Sequence, residues 1–142
     1  MSRRFTWLLA LGLFLSALGS ARSDDRGDLQ GAWMVERAVV DGMELPAKDR
    51  DKLKVEFKGG KMIIRENNAE DANEFTLDAA KSPKAIDVQP DKKGEKPLLA
   101  IYELSGDRLK LCIPRQGQKR PAAFESTKES GNLLLFLKRE KK

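Results

Sequence analysis

The chain has 142 residues, of which 40% are hydrophobic and 35% are charged, so it is long enough for one compact domain but not for two of ordinary size. It contains no histidine and one cysteine, Cys112, which excludes Ser-His-Asp and Cys-His catalysis, histidine-bearing zinc sites, Cys-rich metal motifs and an intrachain disulfide. The formal net charge of +5 is modest and basic residues are not interleaved with aromatic ones, so we expect no nucleic-acid partner.

Residues 1–21 have the order of a secretory signal peptide: Arg3 and Arg4, then an apolar run over 6–15, then small residues ending at Ala21. The apolar run is shorter than the roughly 20 residues that span a bilayer. The sequence therefore predicts cleavage after Ala21 or Gly19, a secreted or periplasmic location, and no stable membrane anchor after cleavage. The alternative is an uncleaved N-terminal anchor helix. Loss of residues 1–21 removes two arginines and no acids, which leaves a net charge of +3.

The mature chain is expected to begin with a flexible, acidic leader over residues 22–28 and to form one domain over residues 29–140. Trp33 to Val40 is predicted to be the first strand. Residues 46–52 place a proline before a run of good helix formers, which predicts one or two helical turns between the first and second strands.

The first predicted hairpin turns at residues 59–60, which are both glycine. Pairing outward from this turn sets Phe57 opposite Met62 and Val55 opposite Ile64. All four apolar side chains then lie on one face, while Lys54, Glu56 and Lys58 of the first strand lie on the other. Register and burial therefore agree in this hairpin.

The second predicted hairpin turns at residues 106–107, Gly-Asp. Its apolar pairs are Leu104 with Leu109, Tyr102 with Leu111, and Ala100 with Ile113. On the other face, Glu103 and Lys110 form a favourable pair of opposite charges across the strands.

Further strands are predicted around Phe75 and Leu77, around Ile86 and Val88, over 123–126, and over the last apolar run, 133–137. The last run is apolar on both faces, which predicts a strand that is covered on both sides or that closes the sheet. Short, regularly spaced strands without alternating helices indicate an all-β fold, in which an antiparallel sheet curls into a barrel or forms a sandwich.

Several segments carry a resemblance that covers nearly the whole mature chain, in order. They are residues 29–33 (LQGAW), 53–57, 101–104 (IYEL) with Gly106-Asp107 and 109–112 (LKLC), Arg120-Pro121 with Phe124, and 137–139 (LKR). The chain resembles a family of small exported lipocalin-like domains from planctomycete bacteria, most of which have no characterised function. This resemblance implies a small antiparallel up-and-down barrel of about eight to ten strands with one short helix, closed or nearly closed, and it implies no established activity. The chain departs from the family at Ala122-Ala123, where a polar residue usually follows the Arg-Pro pair.

Gly31 and Trp33 are similar to the opening motif of lipocalins. In that motif the tryptophan plugs one end of the barrel and a basic residue near the last strand packs over it. Lys138 or Arg139 would supply the cation here, through a cation–π attraction of about 0.5–2 kcal/mol. The alternative is that Trp33 is an ordinary core residue, and either interpretation gives it a role in folding.

The remaining chemical groups give little support for catalysis or for a bound metal or other cofactor. Carboxylates are the only general acid–base candidates, and with 22 acids in the chain some will lie close together by accident. Cys112 is interpreted either as a reactive or dimer-forming thiol or as a small apolar filler; its redox state is left open. We therefore expect a protein that is not an enzyme, and a monomer.

The leading hypothesis is an exported lipocalin-like domain that binds a small apolar or amphipathic ligand in the barrel. If a cavity exists, we expect it to be lined by the inward faces of the two hairpins, with residues 46–52 near its mouth. These faces consist of Phe57, Met62, Ile64, Tyr102, Leu104, Leu109 and Leu111. The same residues serve equally well as a plain core. The alternative hypothesis is an envelope protein-interaction module that acts through loops or an edge strand.

Overall fold

The computed structural model describes residues 24–141. Within them the chain forms an antiparallel up-and-down barrel of eight strands, with two short helices and a two-residue strand beside it. The predicted signal peptide, residues 1–21, lies outside the described residues. No helix in the described part of the chain is long and apolar enough to cross a membrane.

The elements, in chain order, are α1 (Asp25–Leu29), β1 (Gly31–Val40), β2 (Met43–Glu44), α2 (Ala47–Arg50), β3 (Leu53–Lys58), β4 (Lys61–Glu66), β5 (Ala69–Asp78), β6 (Lys84–Gln89), β7 (Leu98–Ser105), β8 (Arg108–Ile113) and β9 (Leu133–Arg139).

The barrel is closed by β1, which pairs with β3 along one edge and with β9 along the other. Strands β3 to β9 pair in sequence, each with the next. The pairing of β1 with β9 contains a register shift between Val35 and Arg37, and such bulges bend a strand. β2 pairs only with the end of β1, at Val39 and Val40.

Both predicted hairpins are confirmed, although the pairing of β7 with β8 ends at Ile101 and Cys112, one residue before the predicted pair Ala100–Ile113. In the first, Phe57 lies opposite Met62 and Val55 opposite Ile64. In the second, the observed pairs are Tyr102 with Leu111, Leu104 with Leu109, and Glu103 with Lys110. The prediction for residues 133–137 is also confirmed, because β9 closes the sheet between β8 and β1.

Three expectations are corrected by the structure. Residues 25–28 of the predicted leader are not loose, since they form most of α1, whose Asp25 is buried. Residues 123–126 are not a strand but part of a loop that crosses the outside of the barrel. The one short helix expected over 46–52 is present as α2, but α1 is a second helix that the sequence pattern did not reveal.

Apolar side chains fill the inside of the barrel, and a second, smaller group lies outside it. The inner cluster includes the fully buried side chains of Trp33, Phe57, Met62, Tyr102 and Leu111. The outer cluster consists of Val39, Ile101, Cys112 and Leu134, with Phe124 and Phe136 packed against them. It is covered by the 114–132 connection between β8 and β9, which we call the strap. The two clusters explain why β9 is apolar on both faces.

Candidate functional site

One end of the barrel is closed by α1 and the tryptophan that follows it. Trp33 is completely buried, and its indole Nε1–H donates to the carbonyl of Leu29 over 2.9 Å. Arg139, rather than Lys138, supplies the predicted cation: its guanidinium carbon lies 4.4 Å from the centre of the tryptophan ring. The same guanidinium donates to the carbonyls of Asp28 and Gln30, at 2.7 and 3.1 Å. We call this end of the barrel the closed end. These contacts stabilise it.

Gly31 is required at the closed end by its backbone conformation. Its φ of +114° lies in a region that residues with a side chain rarely adopt. A Cβ atom placed there would lie 3.9 Å from Nη1 of Arg139, an ordinary van der Waals contact, so the backbone conformation is the constraint. Gly31 therefore lets the chain turn from α1 into β1 beneath the arginine.

A buried carboxylate attaches α1 to the barrel. Oδ2 of Asp25 accepts hydrogen bonds from the hydroxyl of Tyr102 at 2.7 Å and from Nζ of Lys84 at 2.9 Å. Asp25 is 8% exposed and Tyr102 is 1% exposed, whereas the lysine side chain is 40% exposed. The hydroxyl of Tyr102, one of the residues expected to line a cavity, is therefore already bonded within the protein itself.

Tyr102 is expected to ionise only when the protein unfolds. Burial, with a further contribution from the hydrogen bond to Asp25, raises the pKa of this phenol far above its usual value. The fold thus favours the protonated form. Its contribution to stability is complete below the pKa of an unfolded tyrosine, about 10, and is lost as the pH rises through the higher pKa of the folded state.

Because Tyr102 is the chain's only tyrosine, ultraviolet absorbance of the phenolate reports on it directly. In an alkaline titration we expect no phenolate from the folded protein until far-UV circular dichroism shows unfolding. The protein in urea should titrate near pH 10, the value for an unperturbed tyrosine. A folded protein that titrated with this same midpoint would contradict the buried contact with Asp25.

The structure places most of the seven predicted ligand-lining residues in the core. Phe57, Met62, Tyr102, Leu109 and Leu111 are buried in the inner cluster, at 0–2% exposure. Ile64 and Leu104 are partly buried at the edges of that cluster. Of the seven, Ile64 lies in the cleft at the other end of the barrel.

The end opposite α1, where β8 ends and β9 begins, is the open end. It contains a cleft of about 390 Å³ between residues 70–73 of β5 on one side and residues 90–98 on the other. Ile64 and Leu98, which also touch the inner cluster, form its apolar floor. The helix α2 lies at this end, as expected from its place between β1 and β3, but its residues do not line the cleft.

The cleft arises because β5 separates from β6. The pairing of these strands runs from Asp78 opposite Ala85 to Glu74 opposite Gln89 and stops there. Among the described strands, residues 69–73 pair with β4 and with no other. Pro90 follows the last paired residue of β6, and a proline has no N–H with which to extend a ladder.

The cleft is mainly acidic around its apolar floor. Its charged lining residues are Glu70, Asp71, Asp91 and Glu95 against the single base Lys92. Glu70 is partly neutralised, because its Oε1 accepts from Nε of Arg65 at 3.0 Å. The cleft therefore combines a small apolar surface with a rim that favours positive charge.

The lining residues Asp71, Asn73, Leu98 and Gln116 were not among the residues picked from the sequence. One signal was available: Asp71 and Asn73 continue the inward alternation of Phe75 with polar side chains, which indicates that this part of β5 leaves the core. Nothing local to Gln116 predicts its place, because the strap brings it there from a distant part of the chain.

The strap is fixed over the outer face of the barrel by side chains at several points. Arg120, of the Arg-Pro pair, donates from Nη1 to the carbonyl of Ala100 at 2.9 Å and forms an ion pair with Asp87 at 2.8 Å. Cys112 lies completely buried beneath it, and its thiol donates to the carbonyl of Glu125 at 3.4 Å. Burial raises the pKa of this thiol, which favours the interpretation of Cys112 as a filler.

Among residues 24–141, no group of three or more cysteine, aspartate or glutamate side chains is arranged to hold a metal ion. No protein-family model, no curated protein and no solved structure matches the chain. The barrel fold is therefore assigned from the pairing of its own strands. The candidate site is the cleft at the open end.

Proposed function

We propose that this chain is an exported, non-catalytic, lipocalin-like binding protein that takes part of an amphipathic ligand into the cleft at its open end. The observation that carries the proposal is the cleft itself. Its volume of about 390 Å³ falls within the usual range of ligand pockets, about 300–1,000 Å³. It lies at the mouth of the barrel, where the side chains of Ile64 and Leu98 are not fully covered by the core.

The ligand is placed at the mouth rather than in the centre because the centre is filled. Trp33, Met62, Ile86, Ala100 and Leu111 are all completely buried inside the barrel. Small barrels are often filled by their own side chains in this way. The apolar part of a ligand would rest on the cleft floor, and its polar part would remain at the charged rim.

The other parts of the proposal rest on the sequence. The order of residues 1–21 supports a secreted or periplasmic location. The absence of histidine supports a role without acid–base catalysis at neutral pH. The segments quoted above support membership of the planctomycete-type exported family. Closure of the barrel within one chain supports a monomer.

A second candidate, an envelope interaction module that acts through an edge strand, is favoured by one observation. Residues 69–73 of β5 pair with β4 on one side, and among the described residues no strand pairs with them on the other. Free strand edges are places where another chain can add a strand.

The proposed function is tested by filling the cleft. Octylamine, a single-chain amphiphile with a cationic head, is expected to bind the wild-type protein in isothermal titration calorimetry. The Asn73→Trp variant should bind it at least about tenfold more weakly, because an indole then occupies space at the cleft floor. Asn73 is suited to this change since it lines the cleft without belonging to the apolar core.

Asn68→Trp is the matched control, because the same substitution there adds an indole to the exposed turn between β4 and β5. It should bind octylamine as the wild type does. Equal binding by wild type and Asn73→Trp, with both folded by circular dichroism, would contradict a site in the cleft. Octanoate should bind more weakly than octylamine because of the acidic rim.

A further inference from the structure

We infer that the cleft binds an extended, positively charged peptide segment, which adds as a strand to the free edge of β5. This inference rests on the proposed function, because it names the class of ligand that the same cleft takes. It also goes further, since strand addition uses the backbone of β5 as well as the side chains that line the cleft.

On the side of the cleft, the backbone groups of β5 at residues 70–72 have no backbone partner within residues 24–141. The amide of Phe75 donates to the carbonyl of Gly60 at 3.1 Å, which lies on the β4 side. Backbone groups along a strand point alternately to its two neighbours. Those of Glu70 and Ala72 therefore point away from β4, towards the place where β6 has already ended.

The loop on the far side of the cleft is held away from this edge by its own contacts. Nε2 of Gln89 donates to the carbonyl of Glu95 at 3.0 Å, which folds the 90–97 loop on itself. Nε2 of Gln116 donates to the carbonyl of Lys96 and ties the loop to the strap. No backbone hydrogen bond links this loop to β5 within the described part of the chain. The gap is thus left for another segment.

The size of the gap defines the length of that segment. Residues 69–73 are five residues long, about 16 Å at the rise of a β-strand. An added strand alternates its side chains between the two faces of the sheet. Those that point inward meet Ile64 and Leu98, which favours apolar residues at every second position.

Charge complementarity indicates which residues occupy the other positions of the added strand. The cleft presents the carboxylates of Asp91 and Glu95, which form no side-chain hydrogen bond or ion pair within residues 24–141, while the chain as a whole is basic. Acidic residues around a groove attract a basic partner and repel an acidic one. The expected segment therefore alternates small apolar residues with lysine or arginine.

The test uses the acetylated and amidated peptide KVKVK with the full mature chain. We expect KVKVK to bind in isothermal titration calorimetry, and the acidic peptide EVEVE to bind at least about tenfold more weakly. Two further versions of KVKVK carry N-methyl groups on either the valine or the lysine amides. Since only one set of amides faces β5 in an added strand, one version should lose about tenfold in affinity and the other should not. Equal affinities of the two would overturn strand addition.

A variant of β5 tests the same pairing from the protein side. Ala72→Pro removes the amide that faces the cleft without removing a bond to β4, so the strand is expected to form as an edge strand with proline does. It should lose at least about tenfold in affinity for KVKVK, while its far-UV circular dichroism remains that of the wild type. Amide exchange of the folded wild type gives a further measurement, in which the Ala72 amide should become protected when KVKVK is added.

The outcomes separate this inference from the proposed function. Binding of octylamine without binding of KVKVK would overturn the peptide inference and leave the cleft as a small-molecule site. Binding of neither would overturn both. Binding of KVKVK that is unchanged in Asn73→Trp and in Ala72→Pro would place the peptide elsewhere and overturn the inference.

Discussion

Replacing Trp33 by alanine is expected to lower the free energy of unfolding by about 3–5 kcal/mol, the range for truncating a large buried aromatic side chain. The indole is completely buried and bonded to the carbonyl of Leu29. It also supports the guanidinium of Arg139, 4.4 Å from the ring centre. Its loss would thus leave a cavity and an unpaired carbonyl at the closed end. Urea unfolding followed by far-UV circular dichroism measures the effect.

Two further variants test whether the loss of stability is specific to the indole of Trp33. Trp33→Phe keeps an aromatic ring but loses the Nε1–H donor, so its loss of stability should lie between those of wild type and Trp33→Ala. Met34→Ala changes the next residue, which is 48% exposed, and should alter stability by less than about 0.5 kcal/mol. A Trp33→Ala protein as stable as Met34→Ala would show that the tryptophan does not close the barrel.

Replacing Asp25 by alanine is expected to cost about 1–3 kcal/mol, because it leaves the buried hydroxyl of Tyr102 without its acceptor. The ion pair with Lys84 adds little, since that side chain is 40% exposed and water screens the pair. The loss should be accompanied by release of α1, visible as faster amide exchange at Leu29. Chemical unfolding and amide exchange of the same variant measure the two effects.

Asp28→Ala is the matched control for this substitution. It makes the same change in the same helix, but the side chain is exposed and only the carbonyl of Asp28 bonds Arg139. Its stability should remain within about 0.5 kcal/mol of wild type. In Tyr102→Phe, the further loss from Asp25→Ala should shrink, because the two side chains share one hydrogen bond. Undiminished loss in that background would contradict the assigned contact.

Much of the barrel could be predicted because its hairpins are local. The glycine turn before Met62 and the alternation around Phe57 fix the register within a dozen residues. The same holds for Tyr102 and Leu111. Closure by β9 could be inferred because a strand that is apolar on both faces must be covered on both of them.

The elements that could not be predicted depend on contacts between distant residues. Helix α1 has only five residues, too few for an amphipathic pattern, and its position depends on Asp25 meeting Tyr102, which is 77 residues away. The strap around Phe124 looked like a strand because its apolar residues cover an outer face of the barrel. The cleft forms where β5 separates from β6. Pro90 and the polar Asn73 mark this point in the sequence, but they indicate a cleft only once the pairing of β5 with β6 is known.

The two ends of the barrel are therefore expected to respond differently to mutation. Changes at Trp33 or Asp25 should lower stability, whereas Asn73→Trp should lower binding of octylamine without a comparable loss of stability. This separation follows from the structure, because polar groups at the closed end are bonded to one another, whereas at the open end no other described strand pairs with the cleft side of residues 69–73.

The position of a bound ligand tests the central claim most directly. The measurement is methyl NMR of the full mature chain with octylamine, in which nuclear Overhauser effects connect the ligand to nearby side chains. The account predicts effects from the alkyl chain to the methyl groups of Ile64 and Leu98 at the open end. Effects to Leu111 and Leu137, deep in the barrel, without effects to Ile64 or Leu98 would contradict it.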